Sequence, residues 1–316
     1  MEIAAGVDIG GTNTVFGLVD RQGKVHREGS VSTVAYKDVD AYVDALCGAI
    51  REQMAGFPEG QLIGMGIGAP NANFYKGSID HAANLPWKGE IAFADKVRRY
   101  FPGIPVVLTN DANAAAVGEM VYGAARGMKD FIEVTLGTGV GSGFVAGGRL
   151  IYGHDSYAGE FGHVITVPGG RDCGCGRRGC LETYTSATGI VRTAFEMMAS
   201  MREPSRLRDV TYNEMTSRLV CELAGEGDPV ALAVFERTGE LLGRALADAV
   251  AITSPEAIFL FGGLARAGEL IFEPVRRHME ANLLANYKGR IQVLPSGLMD
   301  ANVAVLGASS LAWVAE

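Results

Sequence analysis

Three of the chain's five cysteines, Cys173, Cys175 and Cys180, fall within the stretch RDCGCGRRGC, residues 171–180. Soft thiolates at such close spacing suit zinc, which takes four tetrahedral nitrogen or sulfur donors. A fourth donor is needed, and the nearest imidazoles belong to His163 and His154; His163 is the preferred one. Four protein ligands leave no open position. The Zn2+ expected here is therefore structural, pinning a glycine-rich loop too poor in apolar side chains to fold by burial.

A second chemistry is written in glycine turns. In DIGGTNT, Asp8 ends an apolar run, Gly10 and Gly11 leave backbone N–H groups free to approach a polyanion, and Thr12 adds a hydroxyl. LGTGVG, residues 136–141, offers a second such turn with Gly137 and Thr138, although the P-loop pattern G-x4-G-K-[ST] is absent. In FLFGGLA, a strand ends on Gly262 and Gly263 before a helix, a place where backbone passes close to a flat ring. TNDANAAA sets Asn110 and Asp111 where a strand gives way to a helix. Asp111 reads there as a helix N-cap, and also as a general base, because ligands of open α/β sheets gather at the carboxyl ends of strands. An Asp in that place can take the proton of a hydroxyl as its oxygen attacks a γ-phosphate. Glu160 in GEFGH and Glu182 in CLE flank the thiol loop, where an ordered backbone would hold them ready to accept hydrogen bonds from hydroxyls.

These groups need elements to hold them. IAAGVDIGGTNTVFGLVD (3–20) reads as strand, glycine turn and strand, followed by an RQGK turn and a third strand. FIEVTLGTGVGSGFVAGGRLIYG (131–153) repeats that grammar, which points to an internal duplication. Helices are expected over 38–54, 111–124, 228–253, 265–285 and 301–314, and buried strands over 62–70, 104–110, 257–263 and 291–296. Strands and helices alternate after each opening, so the class is α/β.

Composition narrows the partners. A net charge of −8 argues against a general nucleic-acid binder, which needs a basic face. No run of ~18 apolar residues is present, so no membrane span is expected. MEIAAGVDIGG lacks the basic and apolar regions of a targeting signal, and a cytoplasmic location follows, where thiols stay reduced.

The stretches DIGGTNT, NDANAAAVGE, EVTLGTGVGSGFVAGGRL, GEFGHVI with CGCGRRGCLE, and LFGGLA, in that order from position 8 to 265, resemble a sugar kinase of the ROK family (repressors, open reading frames, kinases). That family lies within the actin-like, hexokinase-like ATPase superfamily. The most specific string is C-x-C-G-x2-G-C-x-E after G-H. The resemblance implies two ribonuclease-H-like α/β domains with the active site in the cleft between them. The smaller domain would take 1–116 plus 301–316, and the larger 117–300 with the zinc loop. It implies that Asp8 helps organise Mg2+, that Gly10, Gly11, Thr12, Gly137 and Thr138 face the phosphates of ATP, and that Gly262 and Gly263 lie by adenosine. Asp111 would be the base, with Asn84, Asn110, Glu160, His163 and Glu182 around the sugar. The zinc ligands would be His163, Cys173, Cys175 and Cys180, with the second ring nitrogen of His163 turned to a sugar hydroxyl.

The implied activity is transfer of the ATP γ-phosphoryl to a hexose hydroxyl, the 6-OH of glucose first, with N-acetylmannosamine or N-acetylglucosamine kinase as the alternative. A homodimer or homotetramer is expected. Regulators of the same family carry an amino-terminal helix-turn-helix, and with the first strand starting at Ile3 the kinase reading is preferred over a sugar-sensing regulator. One departure stands out. Family glucokinases follow their G-x-P element with glycine and a small or apolar residue, whereas this chain reads GAPNANFYKGSIDHAANLPWKG (68–89). The NLPW ending, and with it Asn84, is kept; Asn71 and Asn73 alter the loop.

Overall fold

The computed structural model describes residues 1–298 and 302–314. The apolar run Glu2–Ile9 (β1) turns at Gly10 and folds back as Asn13–Asp20 (β2), which pairs in turn with Val25–Ser32 (β3). Asp38 caps the next helix, Val39–Ala55 (α1), by accepting a hydrogen bond from Ala41 N. Gln61–Gly68 (β4) then lies parallel to β1. A small antiparallel sheet of Ala72–Asn73 (β5), Ser78–Asp80 (β6) and Glu90–Ile91 (β7) follows, then helix Phe93–Arg98 (α2). Val106–Thr109 (β8) completes a five-stranded sheet of order β3-β2-β1-β4-β8 and feeds directly into Asp111–Val121 (α3).

The second half repeats this plan. Phe131–Leu136 (β9), Val140–Ala146 (β10) and Arg149–Leu150 (β11) form an antiparallel set. After the thiol loop come helices Glu182–Thr185 (α4), Ala187–Ser200 (α5), Ser217–Gly225 (α6) and Pro229–Thr253 (α7). Ala257–Phe261 (β12), helix Glu269–Asn282 (α8) and Gln292–Pro295 (β13) close the sheet in the order β11-β10-β9-β12-β13. Both sheets therefore join three antiparallel strands to two parallel ones in the same order, and the duplication read from the two openings is present in the fold.

Alternation decides which face each strand buries. Along β9, Ile132, Val134 and Leu136 join the helix layer of α5, α7 and α8, while Phe131 packs with Ala116 of α3 on the other face. On the first sheet, Ile3, Ala5 and Val7 pack with Tyr42, Leu46 and Ile50 of α1. The last helix, Val303–Val314 (α9), returns to the first sheet and lies on β1, β4 and α3. That approach needs glycine: a Cβ on Gly66 would overlap the carbonyl oxygen of Ala308.

Two boundaries differ from expectation. The helix expected over 265–285 is a short 3-10 turn, Leu264–Ala267, followed by α8, because Gly268 takes φ 60° between them. The division expected at 116/117 falls inside α3, which runs on unbroken and touches elements of both halves. Residues 299–301, 315 and 316, which belong to the expected domain limits and to the start of the expected closing helix, lie outside the described residues. Among the described residues no helix is long and apolar enough to cross a membrane.

Candidate active site

The carboxyl ends of parallel strands from both sheets face one hollow of about 560 Å3. Pro70 after β4, Asn110 after β8, Gly137 after β9 and Gly262 after β12 all line it, where the topology of open α/β sheets gathers ligands. Of the residues singled out in the sequence, Asn84, Asn110, Asp111, Gly137, Thr138, Glu160, Glu182 and Gly262 share this wall.

Asp111 is not the cap of its helix. Asn110 holds that position with extended backbone, and its Oδ1 accepts from Asn113 N at 2.7 Å. Asp111 is the first helical residue; its Oδ1 accepts from Ala112 N at 2.9 Å, and the residue is exposed to the hollow. The cap and the exposed carboxylate thus belong to neighbouring residues. Asp8, near the end of β1, feels the same charge. Burial, then the negative charge of Asp111, push its carboxyl up to about 6.

Asp8, Gly10, Gly11, Thr12 and His163 do not line the hollow. Gly10 N donates to Asn13 O at 3.1 Å, and Thr12 O accepts from Thr33 N at 2.9 Å. A Cβ on Gly11 would stand 2.8 Å from the carbonyl of Asn84, so this turn and the Asn84 segment are in close contact. Gly263 looks the other way, into an adjoining hollow of about 430 Å3 beside Cys221 and Glu222 of α6.

The thiol loop brings its four expected donors together. One ligand atom each from His163, Cys173, Cys175 and Cys180 lies within 4.8 Å of the others. Cys175 Sγ and Cys180 Sγ are 3.6 Å apart, and His163 Nδ1 is 3.7 Å from Cys173 Sγ. Tetrahedral zinc with bonds of ~2.3 Å to sulfur and ~2.0 Å to nitrogen places its ligand atoms about 3.5–3.8 Å apart, so the donor set fits that ion. His154 is exposed and outside the cluster, and Cys47 is buried on the core face of α1. Burial pushes the Cys173 and Cys180 thiols up, while hydrogen bonds from Arg177 pull Cys175 down.

Glu182 joins this loop to the cleft: its Oε2 accepts from Val140 N at 3.1 Å, and its Oε1 lies 3.7 Å from Cys173 Sγ. Arg171 anchors the loop to α5. Its buried guanidinium donates to Glu196, Thr193 Oγ1 and the carbonyls of Thr183 and Gly189, and stands 4.2 Å over the Tyr184 ring. Nothing in its sequence context distinguishes Arg171 from its neighbours Arg177 and Arg178, because its role depends on helices that follow it.

The sequence reading did not single out the wall residues Thr135, Ser156 and Tyr157, and named Asn71 only as a departure from the family pattern. Ser156 and Tyr157 sit in a loop whose conformation needs φ 74° at a serine, and Asn71 takes φ 51° opposite them. Asn71 carried a signal in its departure from the family pattern; Tyr157 carried none. A larger hollow of about 660 Å3 lies outside the cleft along α7, bounded by the exposed Val164, Ile165 and Ile252. It shares Glu160 with the cleft but brings no glycine turn, Asn110 or Asp111, so the chemistry belongs to the cleft.

Comparison with known proteins agrees in sequence and in shape. The model of the ROK family matches residues 4–314. A glucokinase of Halalkalibacterium halodurans is 36% identical over 284 residues, covering 88% of this chain and 86% of its own length. A glucokinase of Streptomyces coelicolor is 34% identical over 318 residues, covering 99% and 98%. Among solved structures, a ROK family glucokinase from Streptomyces griseus in complex with glucose and AMPPNP is 34% identical, with a TM-score of 0.78 over 99% of this chain and 100% of that one.

Proposed function

The chain belongs to the ROK family, and from that premise we propose that it is an ATP-dependent hexose kinase, with the 6-OH of glucose as its first acceptor. The observation that carries the reading is that Asp111 and the Gly137–Thr138 turn share one cleft wall, so a base and a phosphate cradle face the same space.

In this reading the sugar lies among Asn84, Asn110, Glu160 and Glu182, and Asp111 takes the proton of the attacking hydroxyl. The hydroxyl oxygen forms its bond to the γ-phosphorus as the bond from that phosphorus to the bridging oxygen breaks, and ADP leaves with the electron pair. MgATP enters as a substrate. The Gly137–Thr138 and Gly10–Thr12 turns face its phosphates, with Gly10 N and Gly137 N holding the turns themselves by donating to Asn13 O and Gly139 O; Asp8 serves its Mg2+, and Gly262 and Gly263 lie by its base. The partition of Gly262 into the cleft and Gly263 into the hollow beside α6 supports a nucleotide lying across that edge.

His163, Cys173, Cys175 and Cys180 would hold a structural zinc, which supplies rigidity rather than chemistry. His163 Nδ1 faces the thiols, which leaves the other ring nitrogen for a sugar hydroxyl. The two halves, one built on each five-stranded sheet, would close on both substrates and exclude water. Self-association into a dimer or tetramer is part of the proposal, and the exposed apolar rim at Val164, Ile165 and Ile252 supports it; light scattering tests it.

The deciding experiment is a coupled ADP-release assay with MgATP against glucose, mannose, allose, fructose, N-acetylglucosamine and N-acetylmannosamine. A lead of about 100-fold or more in kcat/KM for glucose supports the assignment. Absence of turnover on every sugar would refute it.

A further inference from the structure

Two loops from opposite halves of the chain meet at the sugar end of the cleft. Asn73 Nδ2 donates to the carbonyl of Asp155 at 3.0 Å, and Phe74 N donates to Ser156 Oγ at 2.7 Å. The Tyr75 hydroxyl donates to the carbonyl of Gly153 at 2.8 Å. Phe74 stacks on Tyr152 with centroids 3.9 Å apart and planes at 11°. The last link is Tyr157, whose hydroxyl donates to Asp80 Oδ2 at 2.9 Å while Asp80 Oδ1 accepts from Ser78 Oγ at 2.6 Å. The departure at Asn73 now has a reason, because its amide is used at both ends. Oδ1 accepts from Tyr75 N and Lys76 N, and Nδ2 reaches across to the other loop.

We propose that Tyr157 is a specificity-determining residue that reserves the acceptor site for unsubstituted hexoses by walling out an N-acyl group. This deepens the hexose-kinase reading and rests on it. Tyr157 is 44% exposed and lines the hollow with Asn71, Glu160 and Asp111, so its exposed surface faces the acceptor space. Its ring is held at both ends. The backbone before it is fixed by Ser156, at φ 74° and bonded to Phe74 N, and its hydroxyl is fixed by the buried Asp80.

To swing aside, the ring must give up a hydrogen bond to a carboxylate that is itself buried, which costs more than an exposed bond. An N-acetyl group in place of a hydroxyl adds the bulk of an amide and a methyl, and meets an anchored wall. Selection by obstruction is the stronger form of discrimination, since filling space for the preferred ligand alone yields only modest ratios.

The test measures kcat/KM for glucose, N-acetylglucosamine and N-acetylmannosamine with the full chain and MgATP, in the wild type, Tyr157→Phe and Tyr157→Ala, each with a thermal melt. The wild type should favour glucose. Tyr157→Ala should raise the ratio of either N-acyl sugar to glucose by about tenfold or more, mainly through a lower KM for the N-acyl sugar. Tyr157→Phe keeps the ring but releases it from Asp80, and should give a smaller rise; it stands alone as the test if the alanine variant does not fold. Unchanged ratios in variants that melt like the wild type would overturn the proposal, as would a wild type that already prefers an N-acyl sugar, with the kinase reading intact. A wild type that phosphorylates no hexose would instead overturn the kinase reading itself.

Discussion

Glu182 accepts a hydrogen bond from Val140 N with one carboxylate oxygen and sits 3.7 Å from Cys173 Sγ with the other. One side chain therefore ties the thiol loop to the glycine turn that precedes β10. Space around that turn is short, since a Cβ on Gly139 would overlap Glu182 Oε2. If the four donors hold a metal, as proposed, its loss should reach both substrates.

Cys175→Ala, or chelation, is expected to release the metal and to raise KM for sugar and for MgATP together, by roughly 10–100-fold each. Metal content and the two KM values check this. A rise for the sugar alone would show that Glu182 does not transmit the loss to the glycine turn.

The division of labour between Asn110 and Asp111 separates activity from stability. Asp111→Ala should lower kcat by on the order of 100-fold or more, with the melting temperature nearly unchanged, because the helix cap belongs to its neighbour. Asn110→Ala should differ by costing about 1 kcal/mol of stability through the lost cap, and should also raise KM for the sugar, because Asn110 lines the hollow. Retained turnover in the Asp111 variant would remove it as the base.

Much of this was legible in residues. The clustering of His163, Cys173, Cys175 and Cys180 was readable because thiolate spacing within a short loop leaves few geometries, and the duplicated strand order because both openings carry the same glycine punctuation. Helix α5, the small β5-β6-β7 sheet and the Arg171 anchor were not, since short strands and buried cations gain meaning only from partners distant in the chain. The role of Asp111 as cap was misread by one residue: Asn and Asp are near-equal caps, and only the extended backbone at Asn110 decides between them. Tyr157 lay beyond reach because its partner, Asp80, comes from the other half of the fold.

Asp8 should trade stability for function. In the folded chain its carboxyl titrates near 6, against an ordinary value of 3.8, so folding is penalised increasingly as pH rises from about 4 to 6 and fully above that. Asp8→Asn is expected to stabilise the ligand-free protein at pH 7 by on the order of 2 kcal/mol, a gain that fades as pH falls toward 4. The same change should lower turnover, and MgATP should raise the melting temperature of the wild type more than that of the variant. Melts across pH 4–8 with and without MgATP test both halves; a variant no more stable at pH 7 than at pH 4 would contradict the assignment.

Glu133 gives the opposite case, a carboxyl that costs stability without serving the cleft. It is fully buried at the centre of β9, and among the described residues neither of its oxygens has a hydrogen-bond partner. Its cross-strand neighbours, Gly143 on β10 and Phe259 on β12, bring no charge. The nearby Glu119 is already engaged by Ser296 Oγ and by the backbone N–H groups of Ala124 and Gly297, and so pins the two chain segments that connect the halves. Burial, then the charge of Glu119, raise Glu133 well above the carboxylate range, so it stays protonated when folded and ionises when the chain unfolds. Stability should therefore fall as pH rises above about 4.5. Glu133→Met fills similar space without a polar group, and its gain should be larger at pH 8 than at pH 4, where about 1–3 kcal/mol from the unmade hydrogen bonds remains. Denaturant titrations of both proteins at the two pH values give the comparison. Parallel pH dependence would mean that Glu133 finds a partner that keeps it charged, and the burial argument would fail with it.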